Sequence, residues 1–426
     1  MRAACVGNTV EWYDFAIFGS LGVVITPVFF PAEDSTSVLL ATFAVYATAF
    51  LMRPLGAILF GRIGDLRGRK VVFSTVLLLM TGATAAVAVL PGYARIGVVA
   101  SVAVVVLRAL QGLAAGGEGG LAAVFIAEHA MPGRRGVTAA WQIATQGFGL
   151  ALGFGAGAAL ITLLPAAEHP GWWRIAFLLA VPLGLIGFYL RRSSLESPHY
   201  EALAREAATV SSPVRVVWRE HRRGMGAGFV LAGTGGLALN TFFVFLPNHL
   251  VATTDRTLPS ALMGAVVGLV SMGFAALLLG RLSDRVGRRP VVLSSLVALA
   301  AISLPLLWAA KTACTTVFLL SEAAAGVAIG GVLSVAMVAE MFPTEVRVTG
   351  LALTAGLASA MLGGTAPLVS QLLVTATGFG LAPAVYISCA ALVAVLVLRG
   401  WRETAFDAFG PYIPDTPRTA PYTPSL

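Results

Sequence analysis

The sequence predicts an all-α membrane protein of twelve spanning helices, built as two six-helix halves. Three observations predict it. First, 58% of the 426 residues are hydrophobic and only 11% are charged, where soluble domains carry roughly a quarter; mean hydropathy is +0.87. Second, apolar segments of about the 20 residues needed to cross a bilayer recur along the whole chain. Third, a ten-residue loop occurs twice at an offset of 219 residues. This composition excludes an ordinary water-soluble enzyme and a disordered chain. The net charge of +8 does not point to nucleic acid, because basic residues of membrane proteins collect in cytoplasmic loops. Cys5, Cys314 and Cys389 lie far apart in apolar stretches, so no disulfide framework or metal site is expected.

In chain order the apolar segments are 4–30, 38–61, 71–90, 96–127, 137–164, 172–190, 224–251, 259–281, 290–309, 313–339, 348–375 and 380–398, separated by short polar turns. The first lacks a cleavage signal and is expected to stay in the mature protein. One longer polar stretch, 191–223, divides an N-terminal half (1–190) from a C-terminal half (224–398). The tail, 399–426, is Pro-rich and expected to be a disordered cytoplasmic segment. If both termini are cytoplasmic, the inward segments hold 22 of the 28 Lys and Arg residues and the outward loops 4. That asymmetry sets the orientation, with a monomer in the cytoplasmic membrane as the expected state.

The repeated loop reads Gly61-Arg62-Ile63-Gly64-Asp65-Leu66-Arg67-Gly68-Arg69-Lys70 and then Gly280-Arg281-Leu282-Ser283-Asp284-Arg285-Val286-Gly287-Arg288-Arg289. It joins spans 2 and 3, and later spans 8 and 9. A second pair supports the duplication: Glu128 with Arg135, and Glu340 with Arg347, each seven apart. Parallel six-helix repeats are a transporter architecture with the solute site near the midplane. The aspartates, Asp65 and Asp284, suit a neighbouring helix N-terminus. The arginines, Arg69 and Arg288, can pair with Glu128 or Glu340. These eight residues form a candidate cytoplasmic gate latch.

Six ionisable residues fall inside spans: Glu11, Asp14, Arg53, Arg108, Glu118 and Glu322. Each costs about 2.5–3.5 kcal/mol on insertion scales, so each is a functional candidate. Glu11 and Asp14 share a helix face with Asn8. Arg108, Gln111 and Glu118 share another. At 1.5 Å per residue, Asp14 lies about 15 Å from the inner surface and Arg108 about 18 Å from the outer one. Both therefore reach the middle of a core about 30 Å thick. Asp14, Arg108, Glu11 and Glu118 are expected to couple protons. Arg53, Asn8, Gln111, Trp141, Gln142 and Asn240 are expected to contact the solute. Phe242, Phe243 and Phe245 offer faces for a quaternary ammonium but more commonly pack. The histidines form no metal cluster, and His249 reads as structural. No catalytic or nucleotide-binding motif is present, which leaves a proton gradient as the energy source, without a cofactor.

These residues resemble the major facilitator superfamily and, within it, the metabolite:proton symporter family related to sugar porters. The matching pieces are Gly7-Asn8 with Glu11-Trp12-Tyr13-Asp14-Phe15, Arg53-Pro54-Leu55-Gly56, both ten-residue loops, Gln111-Gly112 with Gly116-Gly117-Glu118, Ala127-Glu128, Glu196-Ser197-Pro198, Glu340-Met341-Phe342-Pro343 with Arg347 and Gly350, and Gly363-Gly364 with Pro367. They run in order through residues 7–400. Glu11 stands closer to the first residue than is usual in that family. The resemblance implies alternating access by two rocking halves. It also implies that Asp14 and Arg108 form the proton-coupling pair and bond directly when Asp14 is ionised. The expected function is proton-coupled symport of a small polar organic solute, a carboxylate or a zwitterion. A proton-driven exporter of the same fold is the alternative. A non-transporting membrane sensor is a further one, but it would need a folded cytoplasmic domain.

Overall fold

The computed structural model describes residues 2–31, 34–67, 69–128, 133–164, 171–192, 213–343 and 346–406. The chain there is helical throughout, because a backbone in lipid must satisfy its N–H and C=O groups within its own segment. The long helices are α1 Arg2–Phe29, α2 Ser35–Arg67, α3 Arg69–Val89, α4 Val98–Glu128, α5 Arg135–Leu163 and α6 Trp173–Arg192. The second set is α7 Arg222–Thr253, α8 Leu258–Val286, α9 Arg288–Thr312, α10 Thr315–Glu340, α11 Arg347–Thr377 and α12 Ala382–Leu398. Each coincides with an expected span. Among the described residues, nine are long and apolar enough to cross a membrane, while α3, α6 and α12 contribute shorter apolar stretches.

Three helices of the second half are not continuous. α7 widens into a π-helical turn at Thr241–Phe245 and α11 into another at Ser359–Gly363. α10 breaks at Leu333–Ser334 and restarts at Val335, capped by the Ser334 hydroxyl, which accepts from Met337 N at 3.4 Å. Hydropathy alone does not signal such breaks. The π-turn of α11 lies against the stretch of α7 that precedes its own π-turn: a Cβ on Gly236 would lie only 3.3 Å from Gly363 Cα.

The duplication read from sequence reappears in the packing. α1 packs on α5, α2 on α4 and α3 on α6; correspondingly α7 packs on α11, α8 on α10 and α9 on α12. The tight α2–α4 contact depends on glycine. A Cβ on Gly112 or Gly116 would overlap the backbone carbonyls of Ala49 or Arg53, and small residues let membrane helices approach this closely. The halves meet along α5 and α8, and α11 lies against α2 and α4.

Two expectations are revised. A short helix, Pro213–Glu220, occupies part of the central stretch read as a loop. Residues 399–406, expected to begin a disordered tail, instead fold back onto the loop end of the second half. The charge and composition of this segment give no hint of it. The rest of the tail lies outside the described residues.

Candidate functional site

The buried charges gather in the first half. Glu11 and Asp14 on α1 are both buried, as are Arg108 and Gln111 on α4. Arg53 on α2 pairs with Glu11 at 3.6 Å. Its guanidinium sits among the rings of Trp12, Phe15 and Phe50, at 5.0, 4.5 and 4.4 Å from their centroids. An aromatic cage does exist in this bundle, but it is built from α1 and α2 and filled by the protein's own cation. Phe242, Phe243 and Phe245 on α7 are packed core residues.

Asp14 and Arg108 are not in direct contact, contrary to the pairing that the resemblance implies. A four-residue chain joins them. Arg108 Nη1 donates to Gln111 Oε1 at 2.9 Å, and Gln111 Nε2 donates to Thr84 Oγ1 at 2.7 Å. Thr84 Oγ1 makes a short hydrogen bond to Asp14 Oδ1. An arginine can only donate, so the carboxamide orientation of Gln111 is fixed by chemistry. Arg108 lies 4.4 Å from the Phe18 ring centroid, with Nε and Nη2 lacking hydrogen-bond partners among the described residues. Asp14 Oδ2 is likewise without one. Sequence reasoning missed Thr84, which stands on α3 among apolar residues. A hydroxyl in mid-span is a weak signal unless its neighbours are known.

The other expected solute contacts divide. Asn8 Nδ2 donates to Gln142 O at 2.9 Å and Thr145 Oγ1 at 2.8 Å, which ties α1 to α5. Gln142 Oε1 is buried without a hydrogen-bond partner among the described residues. Asn240 accepts from Tyr46 OH at 2.8 Å, a bond between the halves. Trp141 is not brought to the cluster. It is 40% exposed, on the same outward stripe of α5 as Leu152 and Leu163. Its amphipathic ring makes it read as a ligand-binding residue, but its position is that of a bundle-surface one.

The halves also lock at the end carrying the ten-residue loops. Asp284 accepts from the backbone N–H groups of Gly136 and Val137 at 2.7 and 3.0 Å. A carboxylate there meets the partial positive charge of the α5 N-terminus. Arg288 holds Asp284 at 2.8 Å and approaches Glu340 at 3.5 Å; Arg135 from the first half reaches Glu340 at 3.4 Å. Arg347 Nε donates to Phe342 O at 3.2 Å, bracing the start of α11. The side chains of Asp65, Arg69, Glu118 and Glu128 lie outside the described residues. Thr404 Oγ1 donates to Glu340 Oε2 at 2.6 Å, and the Glu403 carboxylate accepts from Arg288 N and Arg289 N at 2.8 and 3.0 Å. Burial pushes the Glu403 carboxyl up, but backbone N–H donors from Ala405, Arg288, Arg289 and Thr404 outweigh it and hold it below the ordinary value.

Toward the opposite end, Asn248 Nδ2 donates to Gly19 O at 2.9 Å and Phe245 stacks on His249. His249 is buried, with Lys311 Nζ at 3.3 Å from its Nε2. Glu322 on α10 is buried, and its Oε2 has no hydrogen-bond partner among the described residues.

With this geometry established, comparison with known proteins is consistent. The family model described as Major Facilitator Superfamily matches residues 12–330 and 253–418. The alpha-ketoglutarate permease of Escherichia coli K12 is 33% identical, over 92% of this chain and 91% of that protein. The citrate-proton symporter of Klebsiella pneumoniae is 32% identical, over 92% and 88%. The proline/betaine transporter of E. coli K12 is 28% identical, over 95% and 83%. Among solved structures, the xylose transporter XylE from E. coli, partly occluded and inward open, superposes with a TM-score of 0.74 at 19% identity, covering 96% of this chain and 98% of that one.

Proposed function

Because the chain belongs to the Major Facilitator Superfamily, we propose that it is a secondary active transporter importing a small carboxylate-bearing solute, a zwitterion or an organic acid, together with protons. It is a multi-pass membrane protein. In our reading it works as a monomer in the cytoplasmic membrane, with both termini and the ten-residue loops on the cytoplasmic side and the proton gradient as sole energy source.

The observation that carries this reading is the Asp14–Thr84–Gln111–Arg108 chain, buried in mid-bundle beside the Arg53–Glu11 pair. Buried charges in a membrane are expensive and persist where they move protons or solutes. The solute class rests on cationic groups in that cluster and on the relatives, whose named solutes all carry a carboxylate: proline and betaine, alpha-ketoglutarate, citrate. Alternating access then follows from the two locks. The Asp284–Gly136/Val137 latch closes the loop end, and the Asn248–Gly19 and Tyr46–Asn240 bonds close the halves elsewhere.

Uptake into liposomes tests it. Proline, betaine, citrate and alpha-ketoglutarate are offered with an inward proton gradient and with that gradient collapsed. Accumulation of one of them, lost in Asp14→Asn, is the expected result. Equal flux with and without the gradient overturns the coupling. Proton-driven efflux without uptake reverses the direction.

A further inference from the structure

Thr84 has three hydrogen-bond neighbours but a single proton. Gln111 Nε2 donates to its Oγ1 at 2.7 Å, Met80 O lies at 2.9 Å, and Asp14 Oδ1 is closest. A hydroxyl gives one hydrogen bond and accepts two. When Asp14 is ionised, its oxygen can only accept, so the Thr84 proton points to it and leaves Met80 O. When Asp14 is protonated on Oδ1, it donates to Thr84, and the Thr84 proton swings to Met80 O. In both states Thr84 Oγ1 still accepts from Gln111, and Gln111 still accepts from Arg108. The hydroxyl absorbs the change of protonation by turning about one bond, without leaving a buried polar group newly unpaired.

We propose that Thr84 is the positioning residue of the coupling site: a two-way hydroxyl that lets Asp14 gain and lose its proton while Gln111 and Arg108 stay in place. The proposal deepens the transport reading and rests on it. The titratable and charged groups around Asp14 are Arg108 from α4, Arg53 and Tyr46 from α2, and Tyr13 and Glu11 from its own helix. From α3 and α6 come Leu77, Met80, Thr81 and Ala180, which line a small void with Asp14. Thr84 is thus the hydroxyl through which α3 reaches the carboxylate directly. The arrangement also explains why the ion pair is indirect. A bond from Arg108 straight to Asp14 would lose its charge assistance at each protonation, and would leave a fully buried guanidinium short of a strong acceptor.

The test reads proton binding without transport, so that a wrong solute does not confound it. Infrared difference spectra of the reconstituted full chain are titrated from about pH 4 to about pH 9, with the Asp14 carboxyl band identified by its loss in Asp14→Asn. Thr84→Val keeps the shape and removes the hydroxyl; Thr84→Ser keeps the hydroxyl. A charge-assisted bond is about twice as strong as a neutral one, so Thr84→Val weakens the ionised state more. The expected result is a rise of about tenfold in the proton affinity of Asp14, one unit in its midpoint, and restoration in Thr84→Ser. An unchanged midpoint in Thr84→Val overturns the proposal, as does a shift of equal size in Thr84→Ser, or the absence of any titrating band that Asp14→Asn removes. Failed uptake with a titrating, Thr84-dependent Asp14 would instead count against the transport reading alone.

Discussion

The two halves of this bundle share a packing plan but not a chemistry. α2 meets α4 as α8 meets α10, and α1 meets α5 as α7 meets α11. In the first half the mid-helix positions carry Glu11, Asp14, Arg53 and Arg108, linked by hydrogen bonds and an ion pair. In the second, the corresponding helices carry π-turns, a break before α10 resumes at Val335 and, at mid-helix, the buried carboxyl of Glu322. A duplicated scaffold has thus been divided between a half that holds charge and a half whose helices bend. π-turns inside helices are sites of local adjustment and are frequent at functional positions.

The most direct attempt to break this contrast replaces one ionisable residue in each half. Arg108→Gln leaves the Asp14 carboxylate, bonded to Thr84 beside Leu77, Met80 and Ala180, without the cation of its hydrogen-bond chain. Removing one partner of a buried ionic set costs about 3–5 kcal/mol, so its unfolding midpoint in detergent falls steeply and accumulation is lost. Glu322→Gln, by contrast, replaces a buried carboxyl whose Oε2 has no hydrogen-bond partner among the described residues, and wild-type accumulation is expected. Loss of coupling in Glu322→Gln would show that both halves carry protons.

The latch separates the halves by a second criterion, since its acceptor lies in one and its donors in the other. Asp284→Ala removes acceptance from Gly136 N and Val137 N together with the Arg288 contact. Hydrogen bonds to charged groups are worth about 1.5–3 kcal/mol each, and water offsets part of that once the end opens. A shift of about 2–3 kcal/mol toward a state open at the loop end is expected on that scale. Spin labels at Thr138 and Arg281, with the three native cysteines replaced, would show the distance between α5 and α8 widening. An unchanged distance would place the closing force elsewhere, in the α11 contacts with α2 and α4.

Most of the fold was legible because lipid imposes a simple rule: a long apolar segment becomes a helix. Parts of the site were legible for the same reason, since a charge within such a segment stands out. Depth arithmetic placed Asp14 and Arg108 at one level, and the structure brings them to one network. What the sequence did not reveal is the connection. Thr84 and Met80 lie on α3, which depth arithmetic on α1 and α4 never touches, and a threonine in a span has no cost that marks it. Trp141 was misassigned because helical spacing says which residues share a face but not which way that face points. The fold-back of residues 399–406 escaped notice because the prolines of the tail begin only at Pro411.

Glycine tests the same division on a smaller scale. Gly116 in α4 abuts the Arg53 carbonyl, whereas a Cβ on Gly226 in α7 meets nothing within 4 Å. Overpacking a close contact costs about 1–3 kcal/mol, while replacing an unconstrained helical glycine by alanine gains about 0.5–1 kcal/mol. Gly116→Ala should therefore lower the detergent unfolding midpoint and Gly226→Ala raise it slightly. Equal effects would mean that the α2–α4 contact gives way as freely as the open face of α7.

The smallest effect concerns the segment after α12, which ties the last helix to the latch of the second half. Gly287 turns there with φ of 106°, and a Cβ on it would overlap the Glu403 carboxylate. That carboxylate in turn caps the N-terminus of α9 through Arg288 N and Arg289 N. Caps of this kind contribute about 0.5–2 kcal/mol, and solvent access at a half-exposed position reduces that, so about 1 kcal/mol is expected for Glu403→Gln. The sign of its pH dependence follows from the backbone donors. Because they hold the folded carboxyl below its unfolded value, the contribution is complete above the unfolded value, about 4.3. It declines as pH falls through the folded value, where both states become protonated. The difference in unfolding midpoint between wild type and Glu403→Gln should therefore stay constant from neutral pH down to about 5 and shrink only in stronger acid. A difference that already disappears between about pH 7 and about pH 5 would assign the effect to another group. It would leave the second half held by Asp284, Arg288 and Glu340 alone.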